Sequence, residues 1–263
     1  MIKFCSLFSG SSGNSLYISD NKTNVLIDAG LSGKRIIEAL HSIGEKPSEL
    51  SAILVTHEHS DHTRGVGIVS RKFGIPVYAN ENTWKAMELE LGPLDAENKM
   101  FFETGKEFNL GDIKVKPFAI PHDAAEPVGF NFFISDKKIT TATDIGHITR
   151  RLLDYFETSD LLLLESNHDV EMLKVGPYPW HLKKRIMSDH GHLSNEMAGK
   201  VIAYMAEKGT KKFLLGHLSR ENNFPELAYR TVCNALHEKE ISTEADVMLE
   251  VALRDRVGKV IEF

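Results

Sequence analysis

The sequence predicts an α/β fold in which two stacked β-sheets are covered by helices on both outer faces, giving four layers. Short apolar segments recur along the chain, and most stop at turn residues, which is typical of strands. Other segments between them carry apolar residues at helical spacing. No Pro- or Gly-rich linker divides the chain, and 263 residues are compatible with one layered domain. We therefore expect a single domain over residues 1–263.

The first half of the chain mixes strands with crossover helices. The predicted strands are Ile2–Phe8, Ser15–Ser19, Asn24–Asp28, Ile53–Thr56 and Pro76–Ala79. The predicted helices are Lys34–Ile43 and Thr63–Phe73.

The second half repeats this pattern. Its predicted strands are Ile113–Ile120, Phe130–Ser135, Ile139–Thr143, Leu161–Glu165 and Phe213–Gly216. Its predicted helices are Ile148–Phe156, Ser194–Glu207 and Pro225–His237, and Asp136-Lys137-Lys138 is a predicted hairpin turn. Two similar halves packed as one unit are the simplest architecture.

Composition restricts the class of protein. No apolar run is long enough to cross a bilayer, and the N-terminus lacks the pattern of a signal peptide, so we expect a cytoplasmic protein. Cys5 and Cys233 are far apart, which argues against a disulfide framework or a thiolate metal site. The net charge of −6 argues against binding of nucleic acid through bulk charge, but metal ions could still hold a phosphate backbone.

A dense set of metal-ligand residues follows the strand that ends at Thr56. His57, His59, Asp61 and His62 form an HxHxDH pattern on one loop that leads into a helix. Imidazole and carboxylate ligands suit Zn, Mn, Fe or Co, and the absence of thiolates removes a strong preference for zinc. The alternative interpretation is a cluster of surface histidines.

One loop cannot fill two coordination spheres, and three later residues stand in similar positions. His122, Asp144 and His217 each follow a predicted strand. Each of them alone is equally well explained as a capping or surface residue. Their shared position favours a common metal site at one rim of the sheets.

HxHxDH followed by a later His, Asp and His resembles the metallo-β-lactamase superfamily, over nearly the whole chain. The resemblance implies a four-layer αββα metallo-β-lactamase-type sandwich with two divalent metal ions, Zn or Mn, with Fe as a further candidate. It implies that His57, His59 and His122 hold one ion, that Asp61, His62 and His217 hold the other, and that Asp144 bridges them. It also implies that Asp28 orients the ligand loop by accepting hydrogen bonds.

Two further motifs bear on the reaction. Glu165 ends a predicted strand, and His192 precedes the helix that Ser194 would cap. This pair resembles the glutamate and histidine of tRNA-processing metallo-nucleases, where the histidine protonates the leaving oxygen. A metal-activated water that attacks phosphorus, with Asp61 as a proton acceptor and His192 as the acid, would cleave a phosphodiester. In the alternative interpretation, His192 only begins a helix and Glu165 only ends a strand.

Several motifs together resemble the YycJ (WalJ) family. They are Ser-Gly-Ser-Ser-Gly-Asn-Ser at residues 9–15, the HxHxDH loop, Glu-Ser-Asn-His-Asp at 165–169, Gly-His-Leu-Ser-Asn at 191–195 and Gly-His-Leu-Ser-Arg-Glu-Asn-Asn at 216–223. This resemblance implies a 5′-to-3′ DNA exonuclease with a role in mismatch repair. The short stretch between Asp144 and His217 leaves no room for a large cap domain, so we expect an open cleft.

Some residues have no assigned role. The loop at residues 9–15 could approach a phosphate or be a plain hairpin loop, and Lys183-Lys184-Arg185 could guide a phosphate backbone or be a solvated face. His168, His181 and His190 could contact substrate or be polar loop residues. The competing functions are an RNA-processing nuclease, a hydrolase of small cyclic phosphodiesters, lactones or thioesters, and a non-catalytic regulatory metalloprotein.

Overall fold

Two seven-stranded sheets form the centre of the protein, for which a computed structural model describes residues 1–263. The first sheet contains β1 (Lys3–Phe8), β2 (Ser15–Ser19), β3 (Asn24–Ile27), β4 (Ala52–Leu54), β5 (Val77–Ala79) and β6 (Lys99–Phe101). The second contains β7 (Phe108–Leu110), β8 (Ile113–Ala119), β9 (Val128–Ile134), β10 (Lys137–Ala142), β11 (Leu161–Glu165), β12 (Lys212–Gly216) and β13 (Met248–Val251). The short strand β14 (Ile261–Glu262) pairs with β1 and completes the first sheet.

Both sheets combine antiparallel and parallel pairing. The first has the order β14-β1-β2-β3-β4-β5-β6 and is parallel from β3 to β6. The second has the order β13-β12-β11-β10-β9-β8-β7 and is parallel from β10 to β13. The register places Glu165, at the end of β11, opposite Gly216 at the end of β12. Because parallel strands end at the same edge of a sheet, residues that follow them are brought together.

Nine helices connect or cover the strands. They are α1 (Gly33–Ser42), α2 (Ser60–Thr63), α3 (Val66–Phe73), α4 (Glu81–Leu91), α5 (Arg150–Phe156), α6 (Val170–Val175), α7 (Trp180–Ile186), α8 (Asn195–Glu207) and α9 (Pro225–His237). Ser194 caps α8, as its side chain accepts a hydrogen bond from Met197 N. None of the nine combines the length and the apolar character that a membrane span requires.

Three apolar clusters separate four layers. One lies between the two sheets, a second lies between the first sheet and helices α1, α3 and α4, and a third lies between the second sheet and helices α5, α8 and α9. Strand β11 contributes to two of them because its side chains alternate: Leu161 and Leu163 face the central cluster, and Leu162 and Leu164 face the helices. The predicted αββα architecture is confirmed.

All the predicted strands and helices are present, with ends shifted by a few residues, but the prediction was wrong in two details. The predicted helix Thr63–Phe73 is broken between α2 and α3 because Gly65 N donates to Ala29 O. The turn between β9 and β10 consists of Ser135 and Asp136, and Lys137 and Lys138 already belong to β10. The missed elements are α4, α6, α7, β6, β7, β13 and β14, most of them short.

Candidate metal centre

The predicted ligand residues lie at one edge of the two sheets. The first sheet contributes the loop after β4, which carries His57, His59, Asp61 and His62. The second sheet contributes His122 after β8, Asp144 after β10 and His217 directly after β12. All seven take part in clusters whose potential donor atoms lie within 4.8 Å of one another. The structure therefore brings together residues that are far apart in the sequence.

The donor atoms form two main groups with one residue between them. His57, His59 and His122 make up the first group, and Asp61, His62 and His217 make up the second. Asp144 is close to both: its carboxylate lies 3.3 Å from His62 Nε2, 3.5 Å from His217 Nε2 and 3.7 Å from His122 Nε2. This arrangement can hold divalent metal, because imidazole nitrogens and carboxylate oxygens converge from several sides.

The hydrogen-bonding state of these groups fits a metal. The Nε2 atoms of His122 and His217 and the Oδ2 atom of Asp144 are buried and have no hydrogen-bond partner. Buried polar atoms are normally satisfied, since burial of an unpaired one is costly. These three atoms are of types that bind metals, and they converge. Cations that bind between them are therefore the best explanation for their lack of hydrogen-bond partners.

The backbone at this edge is unusual. Asp28, Asp144 and His217 have positive φ values of 59°, 61° and 57°. Each follows a strand, and the left-handed conformation turns the chain sharply at that point. Such a conformation costs about 1–3 kcal/mol at a residue other than glycine and is concentrated at functional sites.

Asp28 supports the HxHxDH loop, as predicted for an orienting residue. Its carboxylate accepts hydrogen bonds from Thr56 N and Thr56 Oγ1, both at 2.9 Å, and lies 2.7 Å from His62 Nδ1. The second nitrogen of His62 is left to face Asp61 and Asp144. Because a carboxylate on one imidazole nitrogen fixes the ring orientation, Asp28 determines where the other nitrogen points.

The loop at residues 9–15 also braces the site. Asn14 N donates to Asp61 O, and Asn14 Nδ2 lies 3.0 Å from His62 Nε2. Gly30, in the turn after β3, packs against both loops: a Cβ there would lie 1.6 Å from Asp61 O and 2.7 Å from Asn14 N. This loop is therefore more than a plain hairpin connection, and the role of Asn14 was missed because a Gly-Asn-Ser sequence is typical of any turn.

Glu165 and His192 form the predicted pair, and Glu165 has a second contact. Glu165 Oε1 lies 2.8 Å from Nδ1 of His192 and 2.8 Å from Nδ1 of His217. Its other oxygen accepts from Ile145 N and Leu193 N. Glu165 is fully buried and accepts four hydrogen bonds, so it orients both histidines.

Burial and neighbouring charges shift the pKa values of the ionisable groups of the site. Burial opposes ionisation of Glu165, but His192 and His217 outweigh it and lower the pKa of this carboxyl to about 2. Burial likewise lowers the pKa of His217, but Asp144, Asp61 and Glu165 raise it to about 10. Burial, together with the charge of His62, holds the pKa of His57 well below its ordinary value. These shifts belong to the metal-free protein, in which protons occupy part of the place that cations would take.

The three histidines for which the sequence left a substrate contact open are placed differently from one another. His168 is buried, its Nδ1 has no hydrogen-bond partner, and burial lowers its pKa to about 4. His181 and His190 are exposed and belong to none of the clusters of potential ligand residues.

The three residues of the basic run 183–185, for which the sequence left a phosphate-guiding role and a solvated face open, have different surroundings in the structure. Lys183 is buried, and its Nζ donates to Lys174 O at 2.7 Å, so it caps α6 and cannot reach a substrate. Lys184 is exposed, with its Nζ over the ring of Trp180. Arg185 is paired with Asp123 and lines the cleft beside the histidine and aspartate cluster. The two cysteines are free and lie outside the clusters of potential ligand residues.

Known proteins resemble this chain in sequence and in fold. A family model described as a beta-lactamase superfamily domain matches residues 23–218. The exodeoxyribonuclease WalJ of Streptococcus pneumoniae serotype 2 (strain D39 / NCTC 7466) is 47% identical over 93% of this chain and 91% of that protein. The exodeoxyribonuclease YycJ of Bacillus anthracis is 45% identical over 90% of each chain. Among solved structures, the metallo-beta-lactamase fold protein YhfI of Bacillus subtilis has a TM-score of 0.72 over 98% of this chain and 100% of that one, at 14% identity, which is a likeness of fold.

Proposed function

Because this chain belongs to the beta-lactamase superfamily and, within it, to the family of exodeoxyribonucleases WalJ and YycJ, we propose that it is a metal-dependent exonuclease that hydrolyses phosphodiester bonds of DNA. The observation that carries the proposal is the histidine His192, held by the buried Glu165 beside the metal-binding cluster. A proton donor at this position suits an alkoxide leaving group. A thiolate leaving group, as in thioester hydrolysis, does not need one.

The ligand roles follow the two groups of donor atoms. His57, His59 and His122 would hold one ion, Asp61, His62 and His217 would hold the second, and Asp144 would contact both. Zn or Mn is the proposed metal, with Fe as the next candidate, because imidazole and carboxylate donors suit all three and the absence of thiolates removes a strong preference for zinc. Such ions would supply Lewis-acid stabilisation of the phosphoryl group and a water that loses a proton near neutral pH.

Proton transfers are assigned to two side chains. The side chain of Asp61 is 23% exposed at the cleft, and its carboxylate is proposed to accept the proton of the attacking water. His192 donates Nδ1–H to Glu165, which leaves Nε2–H to protonate the departing oxygen of the DNA strand.

A direct test compares substrates on the same metal-reconstituted protein. The substrates are single- and double-stranded DNA and RNA, labelled at the 5′ or the 3′ end. They are incubated with Zn-, Mn- or Fe-loaded protein and with protein from which a chelator has removed the metal. We expect metal-dependent release of mononucleotides from the 5′ end of DNA. Faster cleavage of RNA, or of a cyclic phosphodiester or lactone, would favour a competing hydrolase function, and no turnover with any metal would favour a regulatory protein.

The cellular part of the proposal is a role in DNA mismatch repair, which rests on the family resemblance. A strain that lacks the gene should show a raised rate of spontaneous mutation, and a copy with His192→Ala should fail to restore the normal rate. An unchanged mutation rate in the deletion strain would remove mismatch repair from the proposal and leave the exonuclease activity to the assay above.

A further inference from the structure

The cleft beside the metal-binding cluster has a second wall that neither metal binding nor proton transfer explains. The cleft measures about 200 Å³. Residues 168–191, which connect β11 to α8 and include α6 and α7, contribute Tyr178, Leu182 and Arg185 to its lining. We call residues 168–191 the wall segment. The side of the cleft with Ser11, Asn167 and Ser219 offers hydroxyl and amide groups.

The wall segment is fixed to the rest of the fold on two sides. At one end, Gly176 packs so closely that a Cβ there would lie 2.6 Å from Asn222 Oδ1, and Asp169 N donates to Asn222 O. At the other end, both nitrogens of an Arg185 fork bind the carboxylate of Asp123. Lys183 Nζ ties α7 to the end of α6 through Lys174 O. A segment held in this way presents its side chains in a defined geometry.

Tyr178 is an aromatic residue on a stiff piece of backbone. It stands between Pro177 and Pro179, which fix their own φ angles and restrict the residues before them. Its side chain is half-buried at the cleft, and no aromatic partner packs on its ring. An aromatic face held at low entropic cost beside a phosphodiesterase site is suited to stacking on a nucleic-acid base.

Arg185 supplies a positive charge to the same wall. A guanidinium has five N–H donors, and Asp123 takes two of them, so three remain for another acceptor. Its side chain is 50% exposed, so these donors are open to the cleft and to solvent. Phosphate is the acceptor that a planar guanidinium binds best.

We propose that Tyr178, Leu182 and Arg185 form a subsite for the nucleotide next to the scissile phosphate, in which Tyr178 stacks on the base, Leu182 packs against the sugar and Arg185 binds the neighbouring phosphate. This inference rests on the proposed nuclease function and adds the residues that select a nucleic-acid strand. The hydroxyl and amide groups of Ser11, Asn167 and Ser219 line the same cleft and would lie beside the sugar-phosphate backbone of that nucleotide.

The experiment separates strand recognition from chemistry. Four variants are each compared with wild-type protein: Tyr178→Ala, Tyr178→Phe, Arg185→Ala and Arg185→Lys. The substrates are single-stranded DNA and bis(p-nitrophenyl) phosphate, which has no base or neighbouring phosphate. Lys184→Ala is the matched control, because it removes an adjacent charge that does not line the cleft. Metal content and thermal unfolding are measured for every variant, so that a folding defect is recognised.

For Tyr178→Ala we expect roughly a tenfold rise in KM and Kd for DNA, the size of one lost base stack, with normal hydrolysis of the nitrophenyl ester. Tyr178→Phe should behave as wild type. When the DNA substrate has an abasic site at the flanking nucleotide, wild type and Tyr178→Ala should become equal. A loss that persists on the abasic substrate would overturn the stacking role.

For Arg185→Ala we expect weaker DNA binding and a salt dependence of binding reduced by about one phosphate contact, whereas Lys184→Ala should leave both unchanged. Arg185→Lys should restore part of the affinity. Binding is measured by fluorescence anisotropy in a His192→Ala background to prevent cleavage. If wild-type protein degrades DNA but the Arg185 and Tyr178 variants bind it normally, the subsite is wrong. If wild-type protein hydrolyses the ester but not DNA, the proposed function itself fails.

Discussion

At the scale of single residues, His192 carries the most specific chemical hypothesis. Its Nδ1 is held by Glu165, so its Nε2 is available as a proton donor. A positioned general acid contributes about 10²–10⁴-fold to turnover, and we expect His192→Ala to lose about that factor on DNA while the metal content persists. The loss should be small on a nitrophenyl ester, because nitrophenolate departs without a proton. Equal losses on both substrates would instead indicate a role in phosphate binding.

Glu165 should not act through His192 alone. If Glu165 acted only by orienting His192, Glu165→Gln would be a milder version of the His192 variant. In the structure the same carboxylate oxygen also contacts His217, a proposed ligand. Glu165→Gln should therefore also weaken retention of metal during dialysis, an effect that His192→Ala lacks.

The protonation of His217 makes metal binding dependent on pH. Its pKa of about 10 in the metal-free protein lies above the ordinary value near 6.5, so the charged form stabilises the metal-free fold fully below pH 6.5. That stabilisation is lost as the pH rises through 10. A metal ion must displace this proton, so its affinity should rise with pH by about tenfold per unit for each proton released. Calorimetry in buffers of different ionisation enthalpy counts the protons. Release of none between pH 6 and pH 8 would contradict this prediction.

Cys5 should be chemically inert in the folded protein. It is fully buried, its Sγ faces Gly258 O, and burial raises the pKa of its thiol to about 12. Because the thiolate is the reactive form, Ellman's reagent should modify Cys5 at pH 8 only after unfolding. The Cys5→Ser variant identifies which thiol reacts, and its metal content should equal that of wild type. Rapid modification of Cys5 in the native protein would show that this part of the fold opens.

At the scale of elements, close approaches of loops hold the site together. Gly30 lies where the turn after β3 meets the HxHxDH loop, and a Cβ there would overlap Asp61 O. We expect Gly30→Ala to displace Asp61 and to lower activity and metal content together, with a stability cost of about 1–3 kcal/mol or more. Gly44→Ala is the matched control, since Gly44 also follows a structured element but has open space around it.

Gly44 should show only a backbone effect. Its φ of +81° is unfavourable for alanine, so Gly44→Ala should cost roughly 1 kcal/mol of stability and leave activity unchanged. Chemical denaturation gives the stability, and metal analysis gives the occupancy. If both variants lose only stability, the contact between Gly30 and Asp61 is unimportant for the site.

At the scale of the whole molecule, the metal-binding edge joins the two sheets. The loop after β4 belongs to the first sheet, and His122, Asp144 and His217 belong to the second. The cluster between the sheets also contains residues of both, so we expect residues 1–263 to unfold as one domain in a single transition. Metal that binds only the folded state should stabilise it by about 4 kcal/mol per site at a thousandfold excess over Kd.

Calorimetry of the metal-loaded and the metal-free protein tests both the single unfolding transition and its stabilisation by metal. One transition that moves to higher temperature with metal agrees with the prediction. Two separate transitions would divide the chain into units that the present fold does not suggest, and a transition that metal leaves in place would speak against ligands from both sheets.

The sequence by itself determined the longer strands, the long helices and the candidate ligand residues, because the signals for these features are local. Alternating and helical periodicities predicted the strands and long helices, and HxHxDH placed four chelating groups on one loop. His122, Asp144 and His217 were found because each follows a predicted strand, and strands that run in the same direction end at the same edge of a sheet. The presence of metal-ligand side chains at three equivalent positions then made a common site the simplest interpretation.

Only the tertiary structure decided which side chains share a contact. The double role of Glu165 depends on the parallel register of β11 and β12, which no local pattern specifies. Lys183 and Arg185 are two residues apart in a basic run, yet the buried Lys183 caps the end of α6 and Arg185 lines the cleft. The short helices α6 and α7 carry too few turns for a periodic signal, and their packing against distant residues such as Asn222 and Asp123 fixes the cleft wall. Residues that are chemically similar and adjacent in sequence take different roles only when the fold gives each of them a different partner. Those partners come from distant parts of the chain, so only long-range packing reveals them.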